Sequence, residues 1–223
     1  MALQKNYTIT LELEDDRSYI IFMPRPRRSE HTREALIENG IEQLSLNGYH
    51  GTGIKQILDA VNVPKGSFYN YFSSKEAFVA EILREYSNQY LKILDDYIDN
   101  ANEQPLKKIK TIYGFMLEQF SGQNCQRGCL IGSIAAEIGN QSKKCQAAML
   151  ESVAHSKQRV SRLIQQAQDK QQIRDDLTAE QITQVFWATW EGSLLKMKME
   201  GSIDTAKDTL YIMLDHLLAP LDR

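Results

Sequence analysis

Two hydrophobic patterns divide the chain. Residues 7–14, Tyr-Thr-Ile-Thr-Leu-Glu-Leu-Glu, largely alternate apolar and polar with period two, which is a strand pattern. Tyr19-Ile20-Ile21-Phe22 is a second short run of that kind. A two-strand hairpin alone is marginal in water, so this stretch reads as a hairpin or as a loosely attached extension. Met23-Pro-Arg-Pro-Arg-Arg28 also reads as a natural beginning, with translation expected from Met23. From Thr32 the apolar period becomes helical. Leu36, Ile37, Gly40, Ile41 and Leu44 recur at three- and four-residue steps and make one apolar face. Gly48 is expected to close this helix at a left-handed position.

Two short helices follow, over 53–60 and 65–71, with Ile54, Ile57 and Leu58 pointing inward from the first. Asn62 falls in the turn between them, where a left-handed backbone is tolerable for Asn. Val63 and Phe68 anchor the second helix. Ser73-Ser-Lys-Glu76 is expected to act as a capping box, with Ser73 as the cap, opening a long helix to Asp99. Pro105 suits the first turn of the next helix, to Phe120. Residues 122–128 form a loop, and 129–138 read as a buried helix rich in small and apolar residues. Polar and charged positions dominate a long helix over 143–170. Thr178-Ala-Glu-Gln181 is a second capping box, opening a helix to Met199, and a last helix spans 204–218. The pattern predicts an all-α protein of about nine helices, with no strand required after residue 23.

Composition narrows the class. The 223 residues are 42% hydrophobic and 25% charged, which are globular values. A chain of this mass can bury roughly 70% of its unfolded surface, enough for a core without disulfide staples. No apolar run approaches the ~20 residues needed to cross a bilayer. No signal peptide is visible, and three cysteines fit a reducing cytoplasm. The net charge of −3 hides an asymmetry. Residues 24–75 hold seven Lys or Arg and five Asp or Glu, whereas the rest of the chain is acidic. A basic head on an acidic body is the polarity expected when only one end meets phosphate.

Two short helices joined by a tight turn, the second bearing basic and hydrogen-bonding groups, describe a helix-turn-helix. The run from Thr52 through Lys55, Asn62-Val-Pro-Lys-Gly-Ser-Phe-Tyr-Asn-Tyr-Phe72 and Ser-Ser-Lys-Glu76 to Phe78 closely resembles the N-terminal domain of TetR-family transcriptional regulators. Asn62 and Pro64 depart from the family's common Gly and Ser, and neither removes a DNA contact. The resemblance covers residues 29–80. It implies that Thr52, Lys55, Lys65, Gly66, Ser67, Tyr69, Asn70 and Lys75 face DNA, with Tyr71 a further contact. Arg25, Arg27 and Arg28 form either an arm to the minor groove or a solvated basic tail. The implied division is an extension over 1–28, a helix-turn-helix domain over 29–75, and a helical effector-binding and dimerisation domain over 76–223.

The last two long helices of this family usually pair with their mates in a dimer. Val185, Phe186, Trp187, Trp190, Leu194 and Leu195 supply apolar area for that interface or for a pocket wall. Gly128-Cys129-Leu-Ile-Gly132, followed by Ala136-Glu137, resembles the equivalent stretch of a subset related to the N-ethylmaleimide reductase repressor. That subset resembles thiol sensors of electrophiles and oxidants, with a lysine of the long dimer helix near the cysteine. Lys198 is the matching lysine and Lys196 the alternative. A helix N-terminus and Arg127 beside Cys129 are expected to lower its thiol pKa. An inert buried cysteine, or a disulfide with Cys125 or Cys145, are the other readings.

Other chemistry finds little support. Ser193-Leu-Leu-Lys196 lacks the companion motifs of a serine acyl-enzyme. Gly48-Tyr-His-Gly-Thr-Gly53 lacks the strand and the Gly-Lys-Ser/Thr ending of a phosphate loop. No metal, cofactor or catalytic site is expected. The sequence therefore reads as a cytoplasmic homodimeric repressor on double-stranded operator DNA, released by a small molecule or by electrophile or oxidant attack on Cys129. The alternative is a helical small-molecule-binding or catalytic protein with a vestigial DNA-binding head.

Overall fold

The computed structural model describes residues 28–100, 102–121 and 125–221. The strand-like runs of residues 7–14 and 19–22, the start at Met23 and the arm residues Arg25 and Arg27 lie outside them. Among the described residues nine α-helices follow one another without a strand: α1 (Arg28–Gly51), α2 (Ile54–Ala60), α3 (Lys65–Tyr71), α4 (Lys75–Asn100), α5 (Pro105–Ser121), α6 (Leu130–Ile138), α7 (Lys143–Asp169), α8 (Ala179–Glu200) and α9 (Asp204–Ile212). A π-helical turn over Met213–Leu217 replaces the expected α-helical end of α9. Its following residue, Leu218, accepts a hydrogen bond from the Arg174 N–H, which ties the chain's end to the α7–α8 loop.

Local chemistry accounts for the helix ends. Thr178 and Gln181 exchange hydrogen bonds in the expected capping box. At α4 the cap is one residue later than expected: Ser74 Oγ, not Ser73, accepts from the Ala77 N–H. Asn62 does take a left-handed φ of 55° in the α2–α3 turn. Gly48 takes φ 70° and kinks α1, although a further helical turn continues to Gly51.

The apolar residues form two clusters. One joins Leu36 and Leu44 of α1, Ile57 and Leu58 of α2, Phe68 of α3 and Phe78, Ile82 and Leu83 of α4. It continues into Leu130, Ile131, Ile134 and Ile138 of α6 and Cys145 and Met149 of α7. The other fills the body between the second half of α4, α5, α7, α8 and α9. Cys129 packs against both. α4 runs through both clusters and packs most extensively on α7, while α1 lies on α4 and α6. The head is therefore built on α6 as well as on its own helices.

Phe68 is fully buried, with Phe72 and Phe78 ring centroids each 5.4 Å away. It is the one buried residue of α3, so it holds that helix to the core. Phe68→Ala should cost about 3–5 kcal/mol in chemical unfolding. Tyr69→Ala, next to it but 62% exposed, should cost under about 0.5 kcal/mol.

Candidate functional site

The outer face of α3 follows from its register. Phe68 points inward, so Lys65, Gly66, Tyr69 and Asn70 are exposed and Ser67 and Tyr71 are half-exposed. No atom approaches where a Gly66 Cβ would sit, so the backbone is open to the outside there. Lys55 on α2 forms an exposed ion pair with Asp59. Such a pair contributes at most about 1 kcal/mol, so a phosphate can replace the carboxylate. These seven residues present donors and acceptors on one side of the head.

Thr52 and Lys75 are placed differently from the sequence expectation. Thr52 is 1% exposed, and its hydroxyl donates to the Gln43 carbonyl. The Lys75 ammonium donates to the carbonyls of Tyr49 and Thr52, both at 2.7 Å. It also lies 4.2 Å from the centroid of the Tyr49 ring. Burial lowers its pKa. The reason is the end of α1, whose last carbonyls have no helical partners and take side-chain donors instead. Both side chains bond the turn that positions α2.

A third side chain reaches that turn from the body. Glu137, near the end of α6, accepts from the Tyr49 N–H at 3.0 Å and the His50 N–H at 2.9 Å. A Cβ on Gly48 would overlap this carboxylate, and the residue's φ of 70° already favours glycine. Arg127, in the loop before α6, pairs with Glu42 of α1 at 3.3 Å. Both ends of the α6 segment thus grip the head.

Cys129 is the N-cap of α6, and its sulfur accepts from the Gly132 N–H at 3.4 Å. The thiol lines a cavity with Tyr86, Ser87, Tyr90, Met116, Phe120 and Trp187, among others. The cavity is about 20 Å³, enough for a water molecule. Contrary to the sequence expectation, the thiol pKa is raised well above its ordinary value. Burial is the main cause and the neighbouring Glu191 carboxylate adds to it. A helix N-terminus contributes roughly 0.3–1 kcal/mol, which is small beside the penalty for a buried charge. Arg127 is turned to Glu42. Cys125, Cys129 and Cys145 are all free thiols.

Lys198 lies at the start of α6. Its stem passes Gly128, and its ammonium is 3.5 Å from Ser133 Oγ. It is exposed and does not line the cavity. Glu191, one turn and a half earlier on α8, is the charged group beside the thiol, and sequence reasoning missed it. The thiol donates to its carboxylate, and a Cβ on Gly132 would overlap its Oε2. Its Oε1 is buried without a partner. Only its place in the Trp190-Glu-Gly run signalled it.

Comparison with known proteins identifies the scaffold. Residues 36–82 match the family described as bacterial regulatory proteins, tetR family, and residues 105–213 match a tetracyclin repressor-like C-terminal domain. The transcriptional repressor NemR of Escherichia coli K12 is 30% identical over 82% of this chain and 93% of its own. The chain belongs to the TetR family. The repressor DhaR of Mycobacterium sp. strain GP1 is 29% identical, over 83% of this chain and 92% of its own. Among solved structures, reduced E. coli NemR superposes with a TM-score of 0.76 at 30% identity, covering 85% of this chain and 97% of that one. A TetR regulatory protein of Rhodobacter sphaeroides gives 0.77 at 28% identity, covering 83% and 98%. This TetR-family chain is thus a DNA-binding transcriptional regulator and not an enzyme. Among its described residues no helix is long and apolar enough to cross a membrane.

Burial raises the Glu191 pKa. A carboxyl with a raised folded pKa penalises the native state above that pKa. The penalty fades as pH falls through the folded value and is gone below the unfolded one. Glu191→Gln should therefore raise the Tm at pH 7.5, with the gain shrinking to nothing by pH 4. Thermal unfolding at several pH values checks this.

Proposed function

We propose that this TetR-family regulator is a homodimeric cytoplasmic repressor. It leaves its operator when a small molecule occupies or modifies the Cys129 cavity. One observation carries the reading: α6 has the cavity thiol at its first turn and the carboxylate holding the α1–α2 turn at its last. A ligand that displaces α6 acts on both ends at once.

The DNA contacts are assigned to Lys55, Lys65, Gly66, Ser67, Tyr69, Asn70 and Tyr71, with α3 in the major groove. Thr52 and Lys75 hold the turn behind them. The division at residues 75 and 76 is a division of roles, since α4 and the head's core cross it. The dimer seam is assigned to α8. Val185, Ala188, Gly192, Leu195 and Met199 recur at steps of three and four, and all are exposed. Leu195 is 63% and Met199 80% exposed. A stripe with that spacing suits packing against a second copy of the helix. Phe186, Trp190 and Leu194 face the core instead.

Full switching of occupancy, from 99:1 to 1:99, requires an effector to prefer the released state by about 10⁴-fold. A cavity of about 20 Å³ must open to take a ligand, which supplies a structural difference between the two states. Glu137 would carry that displacement to the turn before α2.

Fluorescence anisotropy on DNA from upstream of the protein's own gene checks the assignment. Binding should be tight, lost after treatment with a thiol-reactive electrophile, and retained in treated Cys129→Ser. Loss in treated Cys129→Ser would overturn the role of the thiol. Lys65→Ala should weaken binding and reduce the salt slope by about one contact. An unchanged slope would overturn the docking.

A further inference from the structure

The Cys129 cavity poses a chemical problem. Thiolates, not thiols, are nucleophiles, and this thiol is buried. None of the residues lining the cavity is a cation. The two groups that break the apolar lining are both incompletely partnered. Glu191 Oε1 is buried without a hydrogen bond, beside the thiol that donates to the same carboxylate. Ser87 is 3% exposed, lines the cavity, and its Oγ has no partner. An unpaired buried hydroxyl costs about 1–3 kcal/mol, a cost that a bound acceptor relieves.

We propose that Glu191 is the proton acceptor for Cys129, and that the cavity is built to add an uncharged α,β-unsaturated carbonyl compound to the thiol. This rests on the sensing role assigned to Cys129 above. The thiol proton passes to the Glu191 carboxylate as sulfur attacks the β-carbon. The carbon–carbon π electrons move towards the carbonyl oxygen, which accepts a hydrogen bond from Ser87. The proton held on Glu191 is then delivered to the α-carbon. The product is a thioether, Glu191 is again a carboxylate, and no oxidant or external base is consumed. An anionic electrophile would meet the Glu191 charge with no compensating cation. Met116, Phe120 and Trp187, which are only half-buried, are the walls free to move when a molecule of a few heavy atoms enters.

The titratable groups around the pair are Tyr86 and Tyr90 of α4 and Tyr113 of α5, with Arg159 of α7 near Tyr90. Burial pushes the Tyr90 phenol up to about 12, and raises Tyr86 and Tyr113 above the ordinary range as well. All three phenols stay neutral between pH 6 and 8. Only Cys129 and Glu191 exchange the proton there.

The test is the rate of propenal addition to Cys129 in the purified full-length protein, read by intact-mass spectrometry with peptide mapping. The wild-type rate should be flat between pH 6 and 8, because the shared proton never leaves the pair. Glu191→Gln should react at least tenfold more slowly at pH 7, with a rate rising about tenfold per pH unit as the thiolate fraction grows. Glu191→Asp, which keeps a carboxylate, should restore the flat profile at an intermediate rate. A wild-type rate that climbs tenfold per unit overturns the proposal without any variant. So does a Glu191→Gln protein that matches the wild type in rate and profile. A wild type that forms no adduct at Cys129 at any pH overturns the sensing role itself.

Discussion

The carboxylate of Glu137 against the backbone of Tyr49 and His50 is the contact on which the two ends of this molecule depend. It joins an element of the body to the turn that sets the pitch of α2 and α3. It works because residue 48 is a glycine: the backbone is at φ 70°, and a side chain would occupy the carboxylate's place. Lys75 closes the same turn from α4 by taking two of its carbonyls, and Thr52 takes a carbonyl of α1. The turn is thus held by charge-assisted bonds of both signs, which are stronger than neutral ones. A small displacement of α6 is felt at the recognition helix with little slack between.

The first turn of α6 has the opposite character. Its cap is a thiol in an aromatic cavity, beside a carboxylate that burial has left short of partners. Buried polar groups without partners are costly, and they cluster where a protein has work to do. The helix therefore has a reactive, imperfectly satisfied end inside the body and a fully bonded end under the head. A change at one end has a rigid nine-residue path to the other.

α8 shows why a hydrophobic inventory does not assign faces. Val185, Phe186, Trp187, Trp190, Leu194 and Leu195 are all apolar, so periodicity alone leaves interface, cavity wall and core open. Packing separates them. Phe186, Trp190 and Leu194 are buried under α5 and α7 side chains, Trp187 reaches the cavity, and Val185 and Leu195 stay outside. The outward set then lines up with Ala188, Gly192 and Met199 in a stripe.

The sequence by itself determined the order and type of the helices, since local signals carry them. These were the three-to-four period of Leu36 to Leu44, the Thr178–Gln181 box, Asn62 in its turn and the register that points Phe68 inward. It also determined the family, because the Lys65–Phe72 run is a contiguous signature. What only the tertiary structure decided were relations between residues far apart in the chain. Lys75 and Thr52 looked outward-facing because nothing local revealed the open carbonyls of α1. Cys129 looked activated because Arg127 and a helix start are its neighbours in sequence, whereas Glu42 engages that arginine and Glu191, sixty-two positions away, adjoins the thiol. A pKa is set by burial and by the charges nearest in space, and neither is encoded in spacing along a helix.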